Sequence, residues 1–218
     1  MYFRSMNWQE MLHYTVLHWQ RIIEIIAVIF GIAEVLLSYK NNVLLYPAGI
    51  ISCCLSIFLL AESKLYAESG LNVYYFVISI WGWILWQKRS ENLDHLPITK
   101  ANSKDWSIVA GICLAGFLLI FFLLKKFTDS PVPAIDAFVS ATAWAGTFLL
   151  ARRKLENWIL LNVSNIVAIP LYFYKGLPLY ALLTIVLFIV AVFGYFKWKK
   201  IMEIENELMV SNELIDIK

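Results

Sequence analysis

"WGWILWQK" (Trp81–Lys88) and "FGYFKWKK" (Phe193–Lys200) decide how this sequence is read. Both run aromatic–Gly–aromatic–x–x–Trp–x–Lys, and they lie 112 residues apart (193 − 81). Each closes an apolar run. Working outward, further matches fall in the same order. Glu24 in "IIEIIAV" lies 112 residues before Asp136 in "AIDAFVS" (136 − 24), and Leu65 stands to the third apolar run as Leu177 stands to the last (177 − 65). Leu36-Leu37-Ser38 answers Leu149-Leu150-Ala151, and Asn42-Val43 answers Asn157-Trp158. Self-similarity at a fixed period points to an internal repeat.

The runs are long enough to be membrane spans. The 218 residues are 61% apolar and only 16% charged, with mean hydropathy +0.69. Soluble domains are about 45–50% apolar and about 25% charged, so this chain needs lipid as its solvent. Seven segments reach spanning length, at about 20 residues each: 22–37, 43–61, 71–86, 106–124, 134–150, 158–174 and 179–196. The expected fold is an all-α membrane protein of seven transmembrane helices. Two parallel three-helix repeats, 21–89 and 131–200, are joined by a loop and linker helix over 90–130. The repeats begin four spans apart, an even number, so both run in the same direction. Parallel repeats meeting about an axis along the membrane normal are a transporter plan, with cargo near the midplane.

Residues 1–20 carry Arg4, Glu10 and two histidines and do not read as a signal peptide. Trp8, Leu12, Val16 and Trp19 share a helical face, which predicts a short surface helix; the alternative is an extension of the first span. Residues 201–218 read as an acidic, helix-forming cytoplasmic tail. Lys and Arg divide unevenly between the two sides. Arg4, Arg21, Lys64, Lys125, Lys126 and Lys175 fall on the side of the N-terminus; the other twelve of the 18 fall opposite. The expected topology is N-terminus outside and C-terminus cytoplasmic, in a bacterial inner membrane.

A net charge of +2 is too small to suggest a nucleic-acid partner, and none is expected. The three cysteines, Cys53, Cys54 and Cys113, lie in apolar runs, and the three histidines are scattered, so no metal or disulfide spacing arises. No nucleophile–base pair or phosphate loop is present, and neither an enzyme nor a cofactor is expected. The polar residues inside the spans carry the information, because a polar group in hydrocarbon must face protein or a watery cavity. Trp158, Asn162 and Asn165 share one face of the sixth span, extended by Tyr172. Asn72, Tyr75, Ser79, Trp83 and Trp86 form a stripe on the third, and Ser52 and Ser56 sit one turn apart on the second. These candidates suit a planar ligand with amide or hydroxyl groups, and aromatic faces also attract a cationic ring. The competing reading is helix-to-helix hydrogen bonding. Glu24 and Asp136 read as entrance or structural acids; Glu34 lies deeper.

With "IIEIIAV" opening span one, "WGWILW" closing span three and "ARRKLENW" leading into span six, residues 20–200 resemble the Pnu-type vitamin transporters. That family comprises the PnuC nicotinamide riboside transporters and relatives that carry thiamine or riboflavin. Its signature on span six is Trp-x-x-Trp-x-x-x-Asn. Trp158 and Asn165 match it, and Leu161 stands where the second Trp is expected. The resemblance implies a homotrimer with a cargo site in each protomer, facilitated diffusion, and a cytosolic kinase that traps the imported vitamin. Nicotinamide riboside is the first choice of cargo and thiamine the alternative; a membrane scaffold or receptor without flux is the rival of another class.

Overall fold

A computed structural model describes residues 8–63, 66–88, 95–128 and 130–216. Among the described residues seven helices follow one another: α1 (Trp8–Tyr39), α2 (Leu45–Glu62), α3 (Tyr66–Trp86), α4 (Ser103–Phe127), α5 (Pro133–Ala151), α6 (Asn157–Tyr174) and α7 (Pro178–Asp216). Six of them contain an expected span whole, and α2 begins two residues inside the expected 43–61. No strand occurs among the described residues; Thr99 and Lys154 form an isolated bridge. Five helices are long and apolar enough to cross a membrane: α2, α4, α5, and the apolar parts of α1 and α7. The other two, α3 and α6, are those that carry the expected Trp, Tyr and Asn stripes. Large apolar side chains such as Ile25, Leu114, Phe122 and Leu179 face outward, the arrangement a lipid surround requires.

Local signals set the helix ends. Asn102 and Asp105 form a reciprocal capping box at the start of α4, and Lys125 and Lys126 sit in its last turn against the negative end of the helix dipole. Pro133 opens α5, where its missing N–H costs nothing. Gly176, at φ +70°, turns the chain from α6 into α7.

Two expected boundaries are not breaks. From Trp8 onward the expected surface helix is the first part of α1, a single helix of 32 residues; residues 1–7 lie outside the described set. The acidic tail likewise continues α7, which has 39 residues. At about 1.5 Å per residue both exceed the roughly 30 Å of a hydrocarbon core, so each projects beyond it.

Packing follows the order α1–α2–α3 and α5–α6–α7, with α3 against α5, α1 against α7, and α4 laid on α5. The 112-residue register recurs atom by atom. Trp86 Nε1 donates to Leu150 O at 3.2 Å, and Trp198 Nε1 donates to Ser38 O at 3.0 Å. Tyr46 meets Trp86 edge-on at 5.3 Å, as Trp158 meets Trp198 at 5.6 Å. Ser52 Oγ donates to Ala27 O and Ser164 Oγ to Val139 O, both at 2.8 Å. Asn41 and Arg153 both adopt φ 56°. The register therefore pairs Ser38 with Leu150 and Tyr46 with Trp158, in place of the Ala151 and Val43 suggested by residue identity. The two copies also touch: Trp86 and Trp198 lie 5.8 Å apart, and Arg153 Nε donates to Asn41 Oδ1 at 3.2 Å. The glycines of the opening motif are now explained. A Cβ on Gly194 would stand 2.8 Å from the Trp158 ring, and one on Gly82 would run into Tyr46.

Candidate functional site

A cavity of about 790 Å³ opens between α1, α2 and α7. Small-molecule sites commonly occupy about 300–1,000 Å³. Most of the apolar part of α1 lines it, from Gln20, Arg21 and Glu24 through Gly31 to Val35; α2 supplies Ser52 and Ser56, with Ser63 at its C-cap; α3 adds Asn72, and α7 adds Tyr180, Leu183 and Leu187. Arg21 and Glu24 bring one charge of each sign. Ser52 gives its proton to Ala27 O, so its oxygen is left to accept from a guest. Gly31 keeps this wall thin, since a Cβ there would stand 3.2 Å from Ser52 Oγ.

At the opposite end the bundle is closed. Tyr46, Trp86, Trp158 and Trp198 form one buried cluster with Leu45, Leu150 and Leu155. Beyond it lies a stitched polar layer. Glu205 on α7 accepts from Ile98 N at 2.7 Å and meets His95 Nε2 at 2.8 Å and Arg153 at 3.6 Å. Arg153 also donates to Leu96 O and lies 4.8 Å over the Trp86 ring. Burial lowers the Arg153 guanidinium from its ordinary value, while Glu205 and then Tyr46 oppose the shift. Buried Asp105 holds Arg152 at 2.6 Å and Lys154 at 3.4 Å. The loops after α1, α3 and α5 and the extension of α7 thus meet at one end, as an odd number of crossings requires.

The sequence candidates divide. Ser52, Asn72 and Glu24 line the large cavity. Tyr75 meets Tyr74 edge-on at 5.8 Å and packs on the cluster of Ile120, Ala137 and Trp144, and Tyr172 packs 5.9 Å from Tyr180 of the cavity wall. Asp136 is engaged: Lys175 Nζ lies 2.6 Å from both of its oxygens, and Ser130 Oγ donates to it. Trp158 is buried against Trp198 and Gly194, and with Asn162 it borders a second hollow of about 140 Å³ between α6 and α7. Ser79 is buried, whereas Trp83 is exposed on the bundle surface. Asn165 is partly buried and lines neither cavity. Arg21, Ser63, Tyr180 and the α7 leucines were not anticipated. Only Ser63 had a signal, since it continues the Ser52–Ser56 face of α2.

A family model described as nicotinamide mononucleotide transporter matches residues 21–200, which span all seven helices. The chain belongs to the nicotinamide mononucleotide transporter family. It is a multi-pass membrane transporter rather than an enzyme. The curated nicotinamide riboside transporter PnuC of Escherichia coli (strain K12) is 22% identical, over 81% of this chain and 84% of that protein. PnuC of Neisseria mucosa is 26% identical over 82% and 72%. A solved structure described as the vitamin B3 transporter PnuC superposes with a TM-score of 0.63, at 24% identity and covering 88% of this chain and 86% of that one. That likeness concerns the fold.

Within this member of the family, the departure at Leu161 has a packing counterpart. A Cβ on Gly146 would stand 2.9 Å from Leu161 Cγ and Cδ2. The first triplet holds the reverse arrangement in the same register (146 − 34 and 161 − 49). There Gly49 is the small residue, and a Cβ on it would stand 2.7 Å from Glu34 Cδ and Oε1.

Proposed function

We propose that the chain imports nicotinamide riboside across a bacterial inner membrane, through two parallel repeats, α1–α3 and α5–α7, joined by α4. The supporting observation is the 790 Å³ cavity, open at one end of the bundle and backed by a tryptophan barrier at the other. Both relatives above carry nicotinamide riboside in their names. The charge of the cavity favours a riboside over its phosphate ester. Among the described residues its wall carries one Arg and one Glu, with no surplus cation for a phosphate, which proteins hold with Arg, Lys or helix N-termini. Ser52, Ser56 and Asn72 suit ribose hydroxyls and a carboxamide, and Tyr75 and Tyr172 suit the ring. Trp158, Asn162 and Asn165 are assigned to a later station of the cargo, beyond the open cavity.

The Lys and Arg split puts the N-terminus outside and the C-terminus in the cytoplasm, so the cavity faces out. The protein works as a homotrimer, by facilitated diffusion, and phosphorylation by a cytosolic kinase retains the cargo. Thiamine is the second reading, favoured by Leu161 in place of the signature Trp. Purified protein in vesicles tests the assignment. Labelled nicotinamide riboside should enter saturably, stop at the outside concentration, and accumulate further only when a nicotinamide riboside kinase and ATP are enclosed. Thiamine uptake without riboside uptake would replace the first reading by the second. Absence of flux for both would leave the scaffold.

A further inference from the structure

Glu34 is the acid this reading leaves without a task. It lies on α1 one turn beyond Gly31, and its carboxyl fills the space over Gly49 on α2, one turn from Ser52. Gly31 and Ser52 both line the open cavity. Further on, Tyr46, Gly82 and the Trp86–Trp198 pair begin the barrier. Val35 still lines the cavity, so Glu34 stands beside its deep end, next to the closed end of the bundle. Among the described residues none makes a hydrogen bond or ion pair with it. Arg153, the cation of the barrier, is engaged by Glu205, Leu96 and Asn41. Tyr46 is 2% exposed and its hydroxyl has no partner. On α2, Tyr46 stands one turn before Gly49 and Cys53 one turn after it.

A carboxylate without donor or cation inside a protein is costly. Packing does not demand one here, and the second triplet is the internal control: at the equivalent helix crossing, Leu161 fills the space over Gly146 with hydrocarbon. The same fold thus closes this crossing without an acid. What a lone carboxylate beside aromatic rings offers is a place for a transient cation, because ring faces and the carboxylate attract the same charge.

We propose that Glu34 is the counter-charge of the cargo, receiving a ring of fixed positive charge as it leaves the cavity for the barrier, and so sets a preference for cationic over neutral cargo. The proposal rests on the cavity being the way in. Nicotinamide riboside carries a pyridinium ring; its dihydro form has nearly the same shape and a neutral ring. Calorimetry on the purified full-length protein with both compounds tests the assignment. The wild type should bind the pyridinium form at least tenfold tighter, about 1.4 kcal/mol. Glu34→Gln, of nearly the same volume, should lose at least tenfold for the pyridinium form and little for the dihydro form. Equal wild-type affinities for the two forms would overturn the proposal, and that comparison needs no variant to fold. Unchanged pyridinium affinity in Glu34→Gln would overturn it as well. If the wild type binds neither form, the riboside reading fails instead. Thiamine, also a ring cation, then serves as the probe for Glu34, and equal affinity in wild type and Glu34→Gln overturns the assignment.

Discussion

The two triplets differ most at the end where the cavity opens. In the second, Asp136 is clamped by Lys175 and Ser130, tying the start of α5 to the turn between α6 and α7. In the first, the same register brings Glu24 and Ser63 to those positions (136 − 112 and 175 − 112), and both line the cavity. At the other end the triplets match, with reciprocal indole bonds at 3.2 and 3.0 Å. One scaffold thus makes a sealed end and an open one. The change needs few substitutions: a Lys becomes a Ser, and the acid is released to the cavity.

The matched end predicts equal, large losses. Trp86→Ala and Trp198→Ala each empty a buried indole site, which costs about 3–5 kcal/mol. Thermal unfolding of the purified protein should show two similar shifts. A large loss for one and a small loss for the other would break the symmetry of the closed end.

The unmatched end predicts unequal losses. Asp136→Asn removes a partly buried ion pair and should cost about 1–2 kcal/mol, at the lower end for charged hydrogen bonds because both groups keep some exposure. Glu24→Gln should change stability by under about 0.5 kcal/mol, as a surface substitution does. Equal losses would mean that Glu24 is clamped too. Ser63→Lys tests the comparison from the other side by rebuilding the missing cation. It should close the mouth on Glu24 and cut uptake about tenfold, equivalent to about 1.4 kcal/mol, without loss of stability. Undiminished uptake would show that the cargo enters elsewhere.

The smallest effects sharpen the comparison further. Ser52 and Ser164 make the same bond at 2.8 Å to the preceding helix. Ser52→Ala and Ser164→Ala should each cost about 1 kcal/mol, yet Ser52→Ala alone should weaken riboside binding, since Ser52 alone lines the large cavity. Calorimetry and unfolding on the same two samples separate the contributions.

Much of this was legible in the residues. Seven apolar runs between polar loops place seven helices, because lipid forces the backbone to bond within each span. The echo of Trp81–Lys88 in Phe193–Lys200 reports the repeat, since each copy must bury the same surfaces. Boundaries at 20 and 200 were not legible as continuous helix: amphipathic residues can lie on a membrane or extend a span, and nothing local distinguishes the two. The polar stripes located helix faces correctly but not their surroundings. Trp158 and Asn162 share a face that packs on α7 around Gly194, while the open cavity lies across the bundle on α1 and α2.

By itself the sequence determined the solvent, the helices, the 112-residue register and the charge asymmetry between the two sides, all properties of composition and period. Tertiary structure alone decided that each indole bonds across to the other triplet, that Lys175 reaches Asp136 while Glu24 opens onto a cavity, and that Glu34 stands without a partner among the described residues. Helical period says which residues share a face. It does not say which faces meet, because that depends on how six neighbouring helices fill space together.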